Sequence, residues 1–124
     1  MDNRELAIKV ATDIIGCYVK QNFTGTWDLI IPGGVNQVDF VTRKGAWQGV
    51  PDYPGDIKAA FMVVNKLVEM GYYVDIGIDE YGAQVQLDRY EDHWKLNNVE
   101  STRADTLSEA ICLAALKTKE CKDE

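Results

Sequence analysis

VPDYPGDIKAAFMVVNKLVEMGYYVDIGIDEYGAQVQLD, residues 50–88, changes its apolar period from 3.6 to 2 at Gly71. That change predicts a helix followed by a β-hairpin. Asp56 can cap the helix, because its carboxylate can accept from the free N–H groups of the first turn, and Pro54-Gly55 keep the helix from starting earlier. Ile57, Ala60, Phe61, Val64, Leu67 and Val68 recur at three- and four-residue steps and so form the expected buried face. Lys58, Asn65, Lys66 and Glu69 take the other. Gly71 stands where a left-handed residue commonly ends a helix. Beyond it, Tyr72, Val74, Ile76 and Ile78 alternate with Tyr73, Asp75, Gly77 and Asp79, the pattern of a strand buried on one face. Glu80-Tyr81-Gly82 is the expected turn, and Ala83, Val85 and Leu87 bring the chain back.

Reading outward from the hairpin, Trp94 to Val99 can form a third strand. Thr106 and Glu109 have capping-box spacing, in which each side chain satisfies the other residue's backbone N–H. Leu107, Ala110, Ile111, Ala114 and Ala115 give the helix they open a small apolar face that can lie close to a sheet. Upstream, Asp2 to Asn22 reads as one amphipathic helix, with Asp2 and Glu5 at capping-box spacing. Its stripe is Leu6, Val10, Ile14 and Cys17 or Tyr18, widened by Ala7, Ile8, Ala11 and Ile15. A helix this apolar is expected to cover the second sheet face or to pack on another subunit. Trp27–Ile31 and Val35–Val41 read as two strands joined at Pro32-Gly33-Gly34, and Gly45–Pro51 as a loop. The fold class is therefore α+β, an α/β sandwich: a small, mainly antiparallel sheet packed by helices, with an N-terminal helix and a hairpin insert. Residues 1–124 form one domain, divided into helix and hairpin (1–49), sandwich core (50–116) and charged tail (117–124).

Hydrophobic content of 46% suffices for a core, and no apolar run approaches membrane-spanning length. Met1-Asp2-Asn3-Arg4-Glu5 is neither a basic leader nor an apolar signal, so the expected location is the cytosol. Cys17, Cys112 and Cys121 are odd in number and widely spaced, which fits free thiols. A net charge of −7 opposes general nucleic-acid binding, which needs phosphate neutralisation along a surface. It does not exclude a small anionic ligand, because a few arginines or a helix N-terminus can set the local field. The same acidity also serves solubility.

Catalytic signatures are lacking. Glu91-Asp92-His93 places three metal-ligand types side by side, but consecutive residues of an extended chain point to opposite faces, and no second histidine or nearby cysteine completes a set. Ser101 and Ser108 lie in no glycine-bracketed elbow. A Cys–His dyad using His93 has no supporting motif. Asp75 and Asp79 share a strand face, as chance pairs do among twenty acidic residues. Gly33-Gly34 is too short for a phosphate loop and is explained by turn chemistry. The chain is thus expected not to be an enzyme, with no cofactor and no metal.

Binding chemistry is better represented. Trp27, Trp47 and Trp94, with Tyr53, Tyr73, Tyr81 and Tyr90, are many for this length. Most serve core or interface packing, and the remainder can stack on a base. The strongest polar constellation runs from Asn97 to Thr106 and is expected to join a strand end to a helix start, where free N–H groups and positive helix-end potential suit phosphate. There Arg103 can bind phosphate oxygens in a fork, and Asn97 or Asn98 can bond ribose hydroxyls or a base edge. The competing reading pairs Arg103 with Asp105 or Glu100 and leaves Thr106 as a cap alone. Arg89 is the next candidate cation, and Trp47 and Trp94 are the candidate aromatic surfaces.

Val50-Pro51, Tyr53 and Asp56, the Gly71-Tyr72-Tyr73-Val74 strand entry and Glu109-Ala110-Ile111-Cys112-Leu113-Ala114-Ala115-Leu116 resemble the phage α-β-α sandwich domain over about the last two-thirds of the chain. With its N-terminal helix and the Trp27–Trp47 insert, the whole chain resembles the first family of phage Thoeris anti-defence proteins. Members of that family are sponges for glycocyclic ADP-ribose, the NAD-derived signal made by bacterial TIR-domain proteins, and some also hold cyclic oligonucleotide signals of the CBASS kind. The resemblance implies capture without degradation in the infected or lysogenic host's cytoplasm, by a homo-oligomer, dimer or hexamer, with Trp47 and the N-terminal helix as natural interface elements. The rivals are a protein–protein inhibitor of a host defence effector and a small signal-degrading hydrolase.

Overall fold

The first helix stops well before its apolar stripe does. In the computed structural model, which describes residues 2–32, 39–91 and 95–122 and only the backbone of 89–91, 95–100 and 119–122, helix α1 spans Asn3–Val10. The Asp2 carboxylate caps it by accepting from the Glu5 N–H at 2.8 Å. Ala11–Ile15 form one π-helical turn, and Gly16, at φ +88°, ends it in the left-handed region. The expected helix to Asn22 is thereby corrected: Tyr18–Gln21 is strand β1.

Strand β2, Trp27–Ile30, pairs antiparallel with β1, from Tyr18 opposite Ile30 to Gln21 opposite Trp27. The hairpin therefore uses the Asn22–Thr26 turn, where the Asn22 side-chain oxygen accepts from the Thr24 and Thr26 N–H groups at 3.0 and 3.2 Å. Gly33 and Gly34 of the expected turn and residues 35–38 of the strand expected over Val35–Val41 lie outside the described residues, and Phe40 keeps one bridge to Trp27. The expected loop over Gly45–Pro51 is corrected too. Helix α2 occupies Arg43–Gln48, with the Thr42 hydroxyl accepting from the Gly45 N–H at 2.9 Å.

Helix α3 spans Ile57–Glu69 with Asp56 as its cap, as the sequence predicts. Its buried face is rotated from the expected one. Ala59, Ala60, Val63 and Leu67 are buried, whereas Ile57, Phe61 and Val68 are 43%, 42% and 57% exposed. Strand β3 (Tyr72–Asp79), strand β4 (Gly82–Glu91) and strand β5 (Lys95–Ala104) form an antiparallel sheet in that order. Gly71, at φ +98°, makes the bend from α3 into β3. Gly82, at φ +129°, lies so close to the Ala104 carbonyl that any Cβ there would collide with it. Helix α4, Leu107–Lys122, lies over β4 and β5, with α3 beside it over β3. It extends into the expected charged tail.

The N-terminal segment does not cover the second sheet face. α1 and its π turn pack on α4 and α3, the helical layer, rather than on the second sheet face. That outer face carries exposed Tyr73, Asp75, Asp79, Ser101 and Arg103. One buried cluster runs through Leu6, Val10, Leu29, Tyr53, Val63, Leu87, Ile111 and Ala115, so segments from both sides of residue 50 share a core. Among the described residues, no helix is long and apolar enough to cross a membrane.

Candidate functional site

Trp47 stands on α2, held by its neighbours on the short helix. Ala46 is fully buried, and Phe40 packs under Gly49, so α2 is fixed to the protein along one side. Trp47 is half-buried against the core, and its free side faces a cleft of about 560 Å³ between α1 and α2, lined by Ile8, Arg43, Lys44, Trp47 and Gln48. Ile8 and Trp47 supply its apolar surface, and Arg43 and Lys44 its charge. Arg4, one helical turn before Ile8, donates to the Val50 carbonyl at 3.1 Å and ties α1 to the segment after α2. The Arg43 guanidinium lies 5.8 Å from the centre of the Trp27 ring, a cation–π contact that holds it without using its donors on a carboxylate.

An acidic pair flanks this region on the β2 side. Asp39 is held above the usual carboxylate range, first by its hydrogen bond with Asp28, then by partial desolvation and by the Asp28 charge.

The other predicted site residues do not converge. Asn97 and Asn98 are not at a strand end beside a helix start. They lie inside β5, opposite Arg89 and Asp88 in register. From Asn97 to Thr106 is most of a strand, roughly 25–30 Å of extended chain, so those asparagines cannot join a phosphate at the α4 N-terminus. Arg103 is near that end but is engaged: its guanidinium pairs with the Asp79 carboxylate across the sheet, and the Glu100 side chain lies outside the described residues. Thr106 caps α4 by accepting from the Glu109 N–H at 3.3 Å. Trp94, Asp92 and His93 lie outside the described residues, as do the side chains of Arg89, Glu91, Asn97 and Asn98. Among the described residues no cluster of three or more metal-ligating side chains occurs.

Cys17, Tyr53 and Cys112 form a buried group beneath α4. Among the described residues the Tyr53 hydroxyl has no partner of standard hydrogen-bond geometry, with the Cys17 thiol as its polar neighbour. Burial pushes both thiols and the phenol up, Cys112 to about 12 with further help from the Asp52 and Glu109 charges. A thiol held protonated is a poor nucleophile at neutral pH.

The chain matches the phage ABA sandwich domain over residues 8–116. It belongs to that family. The match starts inside α1, so the family unit includes β1, β2 and α2 and is longer than the last two-thirds marked by sequence likeness. No curated protein and no solved structure shows a significant match.

Proposed function

We propose that this phage sandwich-domain protein captures a cyclic NAD-derived signalling nucleotide, glycocyclic ADP-ribose, and withholds it from a TIR-triggered Thoeris effector without degrading it. The observation that carries the reading is the Trp47 cleft, where an indole face and two cations meet in a chain of net charge −7. Adenine can stack on Trp47, with Ile8 closing the other side. Arg43 and Lys44 stand at the rim, where the pyrophosphate of such a ligand would lie. Capture of this kind needs ground-state affinity and no transition-state complementarity. The protonated, buried thiols of Cys17 and Cys112 fit that role better than nucleophilic attack. Cyclic oligonucleotides share the base and phosphate chemistry and are the second ligand class to test.

Isothermal titration of glycocyclic ADP-ribose into the unaltered chain and Trp47→Ala tests the assignment. Base stacking is worth about 1–3 kcal/mol, so the variant is expected to bind about five- to a hundredfold more weakly. Equal affinity in the two would remove Trp47 from the site. Absence of binding by the unaltered chain would favour the rival protein–protein inhibitor, for which the exposed row of Ile57, Phe61 and Val68 on α3 offers a surface.

A further inference from the structure

The two walls of the Trp47 cleft belong to different parts of the fold. α1, with Ile8, rests on α4, whereas α2, with Trp47, rests on β1 and β2. A base held between an indole and an aliphatic side chain needs van der Waals contact on both faces, an opening of roughly 7–8 Å between wall atoms. Walls carried by separate layers need a link to keep that opening. Among the described residues one side-chain hydrogen bond joins them: Arg4 Nη1 donates to the Val50 carbonyl oxygen at 3.1 Å. Val50 is buried, and its N–H donates in turn to the Trp47 carbonyl oxygen at 3.5 Å. A single residue thus connects the Trp47 backbone to the Arg4 guanidinium. Arg4 and Ile8 are four residues apart on α1 and share one face of it.

We infer, taking the cleft as the nucleotide site proposed above, that Arg4 is its positioning residue: it holds α1 against the end of α2 and so sets the gap between Ile8 and Trp47 that the ligand enters. Its place in α1 has no local explanation. Arg4 lies in the first turn, just after the Asp2 cap, where the helix end is positive and a cation is unfavourable. Among the described residues it has no ion-pair partner that would compensate. The contact with Val50 does compensate, because without Arg4 the carbonyl of that buried residue loses the one donor it has among the described residues. Arg4 does not line the cleft, so it acts through the walls and not by touching the ligand. Affinity falls with the fraction of molecules that hold the binding geometry, and loosening the gap therefore reads out as weaker binding.

Calorimetric titration of glycocyclic ADP-ribose into the unaltered chain, Arg4→Ala and Arg4→Lys, at low and moderate salt, tests the assignment. If about one molecule in ten keeps the gap once the link is gone, Arg4→Ala binds about tenfold more weakly. Its salt dependence is expected to stay close to that of the unaltered chain, because no phosphate contact is lost. Arg4→Lys keeps a donor for the Val50 carbonyl and is expected to return affinity to within about threefold of the unaltered chain. Hydrogen exchange without ligand is the second arm: the Gly49 and Val50 amides are expected to exchange faster in Arg4→Ala and not in Arg4→Lys. Alanine suits the helix at least as well, so circular dichroism is expected to show α1 intact in Arg4→Ala. Equal affinity of Arg4→Ala and the unaltered chain, or unchanged exchange at Gly49 and Val50, would overturn the positioning role and leave the nucleotide site standing. A shallower salt dependence in Arg4→Ala would overturn it too, by making Arg4 a phosphate contact. Absence of binding by the unaltered chain would overturn the nucleotide site itself, and the positioning role with it.

Discussion

Arg43 and Arg103 carry the same charge and have opposite availability. Arg43 rests on the Trp27 ring and lines the Trp47 cleft, and among the described residues it has no carboxylate partner. Arg103 is closed by Asp79, so a phosphate would first have to displace a carboxylate. Arg43→Ala is accordingly expected to weaken glycocyclic ADP-ribose binding by about ten- to a hundredfold, the loss of one charge-assisted contact. Arg103→Ala is expected to leave it within about twofold. Calorimetry at low and moderate salt checks both, with the Arg43 variant showing the shallower salt dependence. Cys112 makes a separate prediction. Its folded-state pKa of about 12 lies above the ordinary thiol value of 9.0, so its contribution to stability is fully present below pH 9 and is lost as pH rises toward 12. The buried phenol of Tyr53, also raised, works in the same direction. Unfolding free energies from urea titrations through this window are expected to fall, by up to about 1.4 kcal/mol per pH unit for each such group, and Cys112→Ala to flatten the slope.

At the scale of elements, hydrophobic period and caps located α3, the β3–β4 hairpin, a strand after it and α4. They located them because each contains a long run of one period bounded by a strong signal: Asp56, Gly71, Thr106. Two caps allow a direct check. Thr106→Ala and Asp56→Ala are each expected to cost about 0.5–1 kcal/mol in urea unfolding, with the longer Thr106 bond at the lower end. Neither change is expected to alter nucleotide affinity. What the period could not show was which of two apolar rows on α3 faces inward. Ala60 and Leu67 of the expected face are buried, but Ala59 and Val63 join them inside, while Ile57, Phe61 and Val68, also of the expected face, stay exposed. α2 was hidden because a six-residue helix containing Gly45 and followed by Gly49 carries little periodic signal. With α2 hidden, Trp47 could be singled out as an aromatic surface, but Arg43 and Lys44 could not be seen to stand with it. The continuation of the third strand past Val99 to Ala104 was missed because a strand with an exposed outer face, as at Ser101 and Arg103, is polar at every second position.

For the whole molecule, the layers explain where binding chemistry can gather. The larger sheet gives one face to α3 and α4, and α1 lies on those helices, so the boundary between α1 and α2 is the place where an aromatic side chain remains half open to solvent beside two cations. A chain of net charge −7 repels anions at long range, so the field of Arg43 and Lys44 acts within about a Debye length of the cleft, roughly 8 Å at physiological salt. The central claim is capture without turnover. Its most direct measurement is to incubate the purified chain with a sub-stoichiometric amount of glycocyclic ADP-ribose, remove free ligand, heat-denature the protein and quantify the nucleotide by mass spectrometry. The expected result is loss of free ligand on mixing and recovery of intact cyclic nucleotide in nearly the amount lost. Recovery of a linear product, or no loss of free ligand at all, would contradict the account.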